Sequence, residues 1–438
     1  MFIPTKRLLI AIAVLFAAAI GVVVAPDTVL VWIGLTGFML AIVASDAFLL
    51  ARTPAPEARR TVPATLALGV ERDVRIRLIN HAPRRVAFEC YDHHPVGFEI
   101  RGMPQSTSIA GRAWVEFGYA VRPVERGDHT FEQLEVRISS PIGLWQRRRT
   151  VGEATTVRVY PNFAAITKYT LLATDNRLSQ IGILQRRRRG EGLDFHQLRE
   201  YRRGDTLRQI DWKATARTEK TISREYQDER NQQVMFLLDC GRRMTAKDGP
   251  LSHFDHMLNA TLLLAYVALR QGDAVGFMTM GTDPTESRFM APRKSGSSVN
   301  MMLAQLYDLQ PTLATSDYQV AATEFMKRIN KRTLVVVLTN LRDEDDDNAL
   351  PALRLMRGRH LVLFASLREQ LLSDLLAKPI QRFDDALAHG ATAEYMKTRE
   401  RAFARLAGSG AITLDVEPDR LAVQLVNRYL DVKRSGRL

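Results

Sequence analysis

The residues best placed to do chemistry crowd into residues 192–217, where charged and aromatic side chains follow no simple period. Arg199, Glu200, Tyr201, Gly204, Asp205, Arg208, Asp211, Trp212, Ala216 and Arg217 stand within that stretch. Two chemistries suit such a set. The guanidinium groups could hold an anionic or acidic partner, with Trp212 as an aromatic anchor. The favoured alternative is an internal salt-bridge lattice with Trp212 in the core, because balanced opposite charges usually satisfy one another. Just upstream, Arg186, Arg187, Arg188 and Arg189 form a run without acids. They suit lipid headgroups, at about 1 kcal/mol per residue near an anionic surface, or a solvated linker equally well. Asp239 closes a short apolar run and is followed by Cys240, Gly241, Arg242 and Arg243. A lone His196 has no second ligand at metal spacing. There is no nucleophile–base pair, phosphate-cradling glycine loop or metal-ligand cluster, so no catalytic residue is assigned. A hydrolytic enzyme is the weaker alternative.

These residues need elements to hold them, and the chain starts with an anchor. Residues 8–25 are an uninterrupted apolar run, and residues 29–50 form another, broken by Asp46 near its end. Each is long enough to cross a hydrocarbon core of roughly 30 Å as a helix. Residues 26–28 join them in a tight hairpin, predicted over residues 1–52. Lys6 and Arg7 precede the pair, and Arg52, Arg59 and Arg60 follow it. By the positive-inside rule both termini and the soluble body are expected in the cytoplasm, at the inner membrane of a bacterium. A cleaved signal peptide is the competing expectation, weakened by the second span. Ala13, Ala17, Gly21 and Ala25 recur every four residues, as do Gly37, Ala41 and Ser45, a spacing that lets helices approach closely in lipid. Asp46 is expected to reach the interface without a functional role.

The body divides further. Residues 53–165 alternate apolar and polar side chains in short runs such as residues 74–79, which predicts an antiparallel sandwich of immunoglobulin-like form. Residues 166–191 read as a basic linker. From residue 192 to 438, apolar strands at 234–238, 274–280, 333–339, 360–365 and 411–416 alternate with helices at 253–270, 299–308, 317–329, 348–357 and near 420–431. That order predicts a doubly wound α/β sheet. Ligands of such sheets meet the carboxyl ends of the strands, so the loops after Asp239, near Thr315 and after Thr339 should form one rim. The acidic run at residues 343–347 belongs to that rim, and its charge at a helix N-terminus explains it sufficiently. The chain has two cysteines, Cys90 and Cys240, too few for a disulfide framework. A net charge of +13 and a pI near 9.9 suit a body beside an anionic leaflet. Nucleic acid is not an expected partner, since its fold signatures are missing.

The order and spacing of residues 199–217 resemble the signature of the domain of unknown function 58 family. A second block, Ser140, Pro141, Ile142, Gly143, Leu144 and Trp145 followed by Val159, Tyr160 and Pro161, is similar to that family's upstream element. The resemblance implies a von Willebrand A-like domain in the second half and a MoxR-type AAA+ ATPase as partner. Many von Willebrand A domains hold Mg²⁺ with Asp-x-Ser-x-Ser, a distant Thr and a further Asp. Here Gly241 and Arg243 replace both hydroxyls, Asn340 stands where the second acid is expected, and Thr315 is the candidate for the Thr. A divalent ion is therefore disfavoured and no cofactor is expected; Arg243 could pair with Asp239 in place of a metal, or Asp239 could simply accept from a nearby backbone amide. The reading that follows is a membrane-anchored protein-interaction module. Its partner-binding rim comprises Asp239, Gly241, Arg243, Thr315 and Asn340, and membrane lipid is a second partner.

Overall fold

The computed structural model describes residues 1–162, 194–202, 207, 210–227, 232–283, 285–342 and 345–437. Arg186, Arg187, Arg188, Arg189, Gly204, Asp205 and Arg208 lie outside the described residues. The chain forms two compact units, Met1–Tyr160 and Pro161–Leu438.

In the first unit a short strand β1 (Phe2–Pro4) leads into α1 (Lys6–Val24) and α2 (Val29–Ala51). Thr5 caps α1, its hydroxyl accepting from the Leu8 amide. Pro26 starts the turn between the helices, where its missing N–H is no loss. Both helices are long and apolar enough to cross a membrane. Strands β2 (Glu57–Thr61), β3 (Thr65–Ala67), β4 (Arg72–Ile79), β5 (Val86–Asp92), β6 (Phe98–Arg101) and β7 (Gln105–Ile109) come next. They are followed by β8 (Trp114–Pro123), β9 (Gly127–Phe131), β10 (Leu134–Ser139), β11 (Trp145–Val151) and β12 (Thr155–Tyr160). Their sheets run in the orders β1-β11-β10-β5-β7, β2-β4-β8-β6 and β3-β12-β9, with antiparallel pairs except β3 with β12. The expected period of two is plain in β4, where Val74, Ile76 and Leu78 are buried and Arg75 and Arg77 exposed.

The second unit opens with the paired strands β13 (Asp194–Glu200) and β14 (Ile222–Gln227), with α3 (Trp212–Thr218) between them. Its main sheet uses β15 (Gln233–Asp239). After the two-residue strands β16 (Lys247–Asp248) and β17 (Leu251–Ser252), the chain enters α4 (His253–Arg270) and β18 (Ala274–Met280). Then come β19 (Phe289–Arg293), α5 (Ser298–Leu306), α6 (Tyr318–Arg328), β20 (Leu334–Thr339), α7 (Asp346–Arg357) and β21 (Leu361–Leu367). Two helices, α8 (Gln370–Ala377) and α9 (Phe383–Gly408), precede β22 (Ile412–Val416) and α10 (Pro418–Arg434).

The sheet order is β19-β18-β15-β20-β21-β22. Five strands are parallel, while β19, a strand the sequence did not indicate, runs antiparallel to β18 at the edge, so the sheet is mixed. Alternate residues of β20 face opposite cores: Leu334, Val336 and Leu338 join one apolar cluster, Val335 and Val337 the other. Residues of α4, α5 and α10 cover the first face, and residues of α6 and α7 the second. Helices α8 and α9 and strand β19 were not anticipated from the sequence. In α9 the apolar residues form no clean stripe, because a buried cation, Arg399, stands among them. Its guanidinium donates to Ser366 Oγ (2.9 Å), Leu367 O (2.8 Å) and Leu341 O, and pairs with Asp415 (2.7 Å). One side chain thus ties together the carboxyl ends of β20 and β21.

Candidate functional site

Asp239 ends β15 at the carboxyl edge of the sheet and is buried. Both its carboxylate oxygens are engaged. Oδ1 accepts from the Gly241 amide (2.8 Å) and from the Ser316 hydroxyl, and Oδ2 accepts from Thr339 Oγ1 (2.6 Å). Because Thr339 spends its proton on Asp239, Tyr318 donates its own to Thr339 Oγ1 (2.8 Å). Burial pushes the Asp239 carboxyl above the ordinary aspartate range, with the three donors opposing that shift. Burial also raises the Tyr318 phenol well above its usual value.

Glycine at position 241 has a steric cause. A Cβ there would collide with Ser316 Oγ and lie 2.9 Å from Ala314 O. The loop bearing Ser316 therefore closes onto Asp239 through space that any side chain at 241 would need. Arg242 N also donates to Ala314 O (2.9 Å), and Thr312 N donates to Cys240 O (2.6 Å). Together these contacts enclose a crevice of about 10 Å³ lined by Asp239, Gly241, Arg243, Thr315, Tyr318 and Asp345, among others. That is at the lower limit for one water.

Three expectations change at this rim. Arg243 was one candidate to pair with Asp239, yet the structure gives it Asp345 as carboxylate partner. Asp345 also accepts from the Arg342 amide (3.0 Å), so it is fixed before the guanidinium arrives. The hydroxyl reaching Asp239 is that of Ser316 rather than Thr315, which lines the crevice and is exposed. Asn340 is buried behind the rim: its amide donates to Glu369 Oε1 (3.0 Å) and lies 3.4 Å from His253 Nδ1. His253 meets Asp248 through Nε2 (2.8 Å). The surface actually open above Asp239 comprises Arg242, Leu313, Ala314 and Thr315, with Leu313 86% exposed.

The signature segment resolves differently from the favoured lattice. Trp212 is 70% exposed, outside the core. It starts α3 behind Asp211, whose side chain caps the helix by accepting from Lys213 N (3.1 Å) and Ala214 N (3.0 Å). The charges do pair in part: Asp211 with Arg224 (2.9 Å) and Glu200 with Lys220 (2.7 Å). The helix cap and the Arg224 guanidinium hold the Asp211 carboxyl below its usual range. Arg217 and Glu200 are exposed, Arg199 and Tyr201 half-buried.

A second buried aspartate organises the first unit, and nothing in the sequence pattern singled out its partners. Asp46, near the end of α2, is fully buried. Its carboxylate accepts from Ser140 Oγ (2.6 Å), Ile142 N (3.0 Å) and Leu144 N (3.1 Å). These donors belong to the Ser140, Pro141, Ile142, Gly143, Leu144, Trp145 block, which therefore wraps around a carboxylate of the apolar hairpin. Gly143 takes φ +83° to make that turn, a conformation in which a side chain would be strained. Trp145 Nε1 donates to Val43 O (3.2 Å), Thr5 Oγ1 to Gly143 O (2.7 Å), and β1 pairs with β11. Hairpin and β region are locked by polar contacts at several points.

An apolar two-helix hairpin, antiparallel sheets and a mixed α/β sheet with a polar crevice at its carboxyl edge define the class of protein. Residues 197–400 match the family described as Protein of unknown function DUF58. The chain is 22% identical over 272 residues to the uncharacterized protein YeaD of Bacillus subtilis (strain 168), covering 60% of this chain and 62% of that one. The match thus spans less than two thirds of that relative. Among solved structures, part of an Escherichia coli alpha-2-macroglobulin aligns at 15% identity and TM-score 0.21, covering 25% of this chain and 17% of that one. The cupredoxin domain of amoB from Nitrosocaldus yellowstonii aligns at 12% identity and TM-score 0.18, covering 25% of this chain and 89% of that one.

Proposed function

We propose that the protein is a membrane-anchored interaction module. In this reading α1 and α2 span the bacterial inner membrane, an immunoglobulin-like sandwich follows, and a von Willebrand A-like domain presents its rim to a partner in the cytoplasm. The observation that carries the reading is the Asp239 cluster: one buried carboxylate pins the loops after β15 and before α6 beneath an exposed patch containing Arg242, Leu313 and Thr315. A rigidly held apolar side chain beside a cation is the kind of surface that anchors a protein partner. The partner is a MoxR-type AAA+ ATPase, and the pair acts in assembly or maturation of other proteins. The role is recognition and not catalysis.

No divalent ion takes part in this mechanism. Both oxygens of Asp239 already accept from protein donors, and the Arg243 guanidinium, paired with Asp345, lines the space a cation would enter. Asp239 is too deeply buried to touch a partner, so the test uses the exposed residues. Crosslinking pull-down from membranes, with and without ATP, should recover an AAA+ ATPase with the unaltered chain. The double variant Leu313→Ser with Arg242→Glu should lose it while keeping the same melting temperature. Equal recovery with both chains, or recovery of no ATPase, would sink the reading.

A further inference from the structure

The cations nearest the joint between hairpin and β region differ from those further away in what they face. Arg84 donates to Leu49 O (3.2 Å) and Thr53 Oγ1 (2.7 Å), and Arg147 donates to Ala51 O (3.0 Å). Both guanidiniums thus cap the last carbonyls of α2, which have no helical partners of their own. Arg52 lies over the Phe48 ring (4.3 Å), and Arg7 packs beside Gly143. Among the described residues none of these four, nor Lys6, has a carboxylate within ion-pair distance. Elsewhere in the same unit Arg60 faces Asp92, Arg77 faces Glu116, Arg137 faces Glu89 and Arg148 faces Glu135. Five cations without an ion-pair partner among the described residues therefore gather at the end of the hairpin where the β region docks, with Asp46 buried behind them on its own three donors. Apolar side chains stand among these cations: Phe2 is 41% exposed and Ile142 48%. Phe2 lies under the Arg147 guanidinium (5.8 Å) and edge-on to Trp145 (6.4 Å).

We infer that this joint is a binding site for the headgroup of an anionic phospholipid. The inference rests on the proposal that α1 and α2 lie in a bilayer. That placement puts the ends of the helices, with Lys6, Arg7, Arg52, Arg84 and Arg147, at headgroup depth. Apolar rings among unpaired guanidinium and ammonium groups match a lipid, whose acyl chain begins where its phosphate ends. The Asp46 lock fixes the geometry, because it holds the Ile142 loop and Arg147 against α2 whether or not a lipid is present.

The test is native mass spectrometry of the full chain in a neutral detergent, titrated with phosphatidylglycerol or with phosphatidylcholine of the same chains. Phosphatidylglycerol should be retained in preference, and the preference should fall as salt rises. The triple variant Lys6→Gln, Arg7→Gln, Arg52→Gln removes no hydrogen bond described here, and should weaken that binding about tenfold or more. Arg72→Gln with Arg75→Gln, on the exposed side of β4, should leave it unchanged. Equal retention of the two lipids, or undiminished binding by the triple variant, would overturn the inference. So would displacement by millimolar inorganic phosphate, which would show a phosphate site instead of a lipid site. Release of the chain from native membranes by alkaline carbonate is a separate outcome, and it would remove the spanning reading itself.

Discussion

Asp46 and Asp239 perform the same task in different units, and their donors differ. Each is a buried carboxylate with three donors, and each draws two distant segments together. At Asp46 two of the three donors are backbone amides, Ile142 N and Leu144 N. At Asp239 only the Gly241 amide is backbone; the others are the hydroxyls of Ser316 and Thr339. A backbone amide in a tight loop cannot re-aim when its acceptor disappears, whereas a hydroxyl can rotate to another oxygen or to water. The joint is thus built to stay shut. The rim is held mainly by hydroxyls, which can find water or another oxygen when the carboxylate is removed.

This contrast ranks the outcomes of substitution. Asp46→Ala should be the most damaging, about 3–5 kcal/mol, since it strands two amides and a hydroxyl in a buried setting. Detergent-solubilised protein should show it as a lower melting temperature and early proteolysis after Ser139. A variant as stable as the parent would mean that the Ile142 loop is held by other contacts. Asp239→Ala should cost less, about 2–4 kcal/mol, because Tyr318 and water can take up the freed hydroxyls. Chemical denaturation followed by the fluorescence of the second unit would measure it. If Asp239→Ala proves the costlier change, the distinction between fixed and re-aimable donors fails.

What could be read from the sequence follows the range of the interactions. Periodicity is local, so the strands at 274–280 and 411–416 and the helix at 253–270 were legible within a residue or so. The partners of both aspartates lie far along the chain. Ser140 is 94 positions from Asp46, and Ser316 is 77 from Asp239. No local pattern reports such a pairing. The block at residues 140–145 was visible as a motif through resemblance, but its purpose appears only once α2 is packed beside it. Thr315 was chosen as the rim hydroxyl one residue from the side chain that fills that place, a displacement that spacing alone cannot detect in a loop. Trp212 was assigned to the core along with the salt-bridge lattice, an argument from charge balance that says nothing of where an indole packs, and at the start of a short helix it is exposed.

The smallest expected effect separates charge from packing at the rim. Ser316→Ala deletes one hydroxyl and leaves Thr339 and the Gly241 amide on Asp239, so it should cost only about 1 kcal/mol. Its pH dependence carries more information than its size. The folded-state pKa of Asp239 is raised, so its contribution to stability is greatest at low pH and is lost as pH rises through that value. Ser316 stabilises the ionised carboxylate more than the neutral acid, so removing it raises the pKa further. The deficit of Ser316→Ala should therefore be small in acid and grow as Asp239 ionises, in a series from about pH 4 to pH 9. A deficit of constant size across that range would mean that Ser316 acts by filling space between Gly241 and Gly281. The rim would then resemble the joint, closed by fit, and the contrast between fixed and re-aimable donors would have no basis.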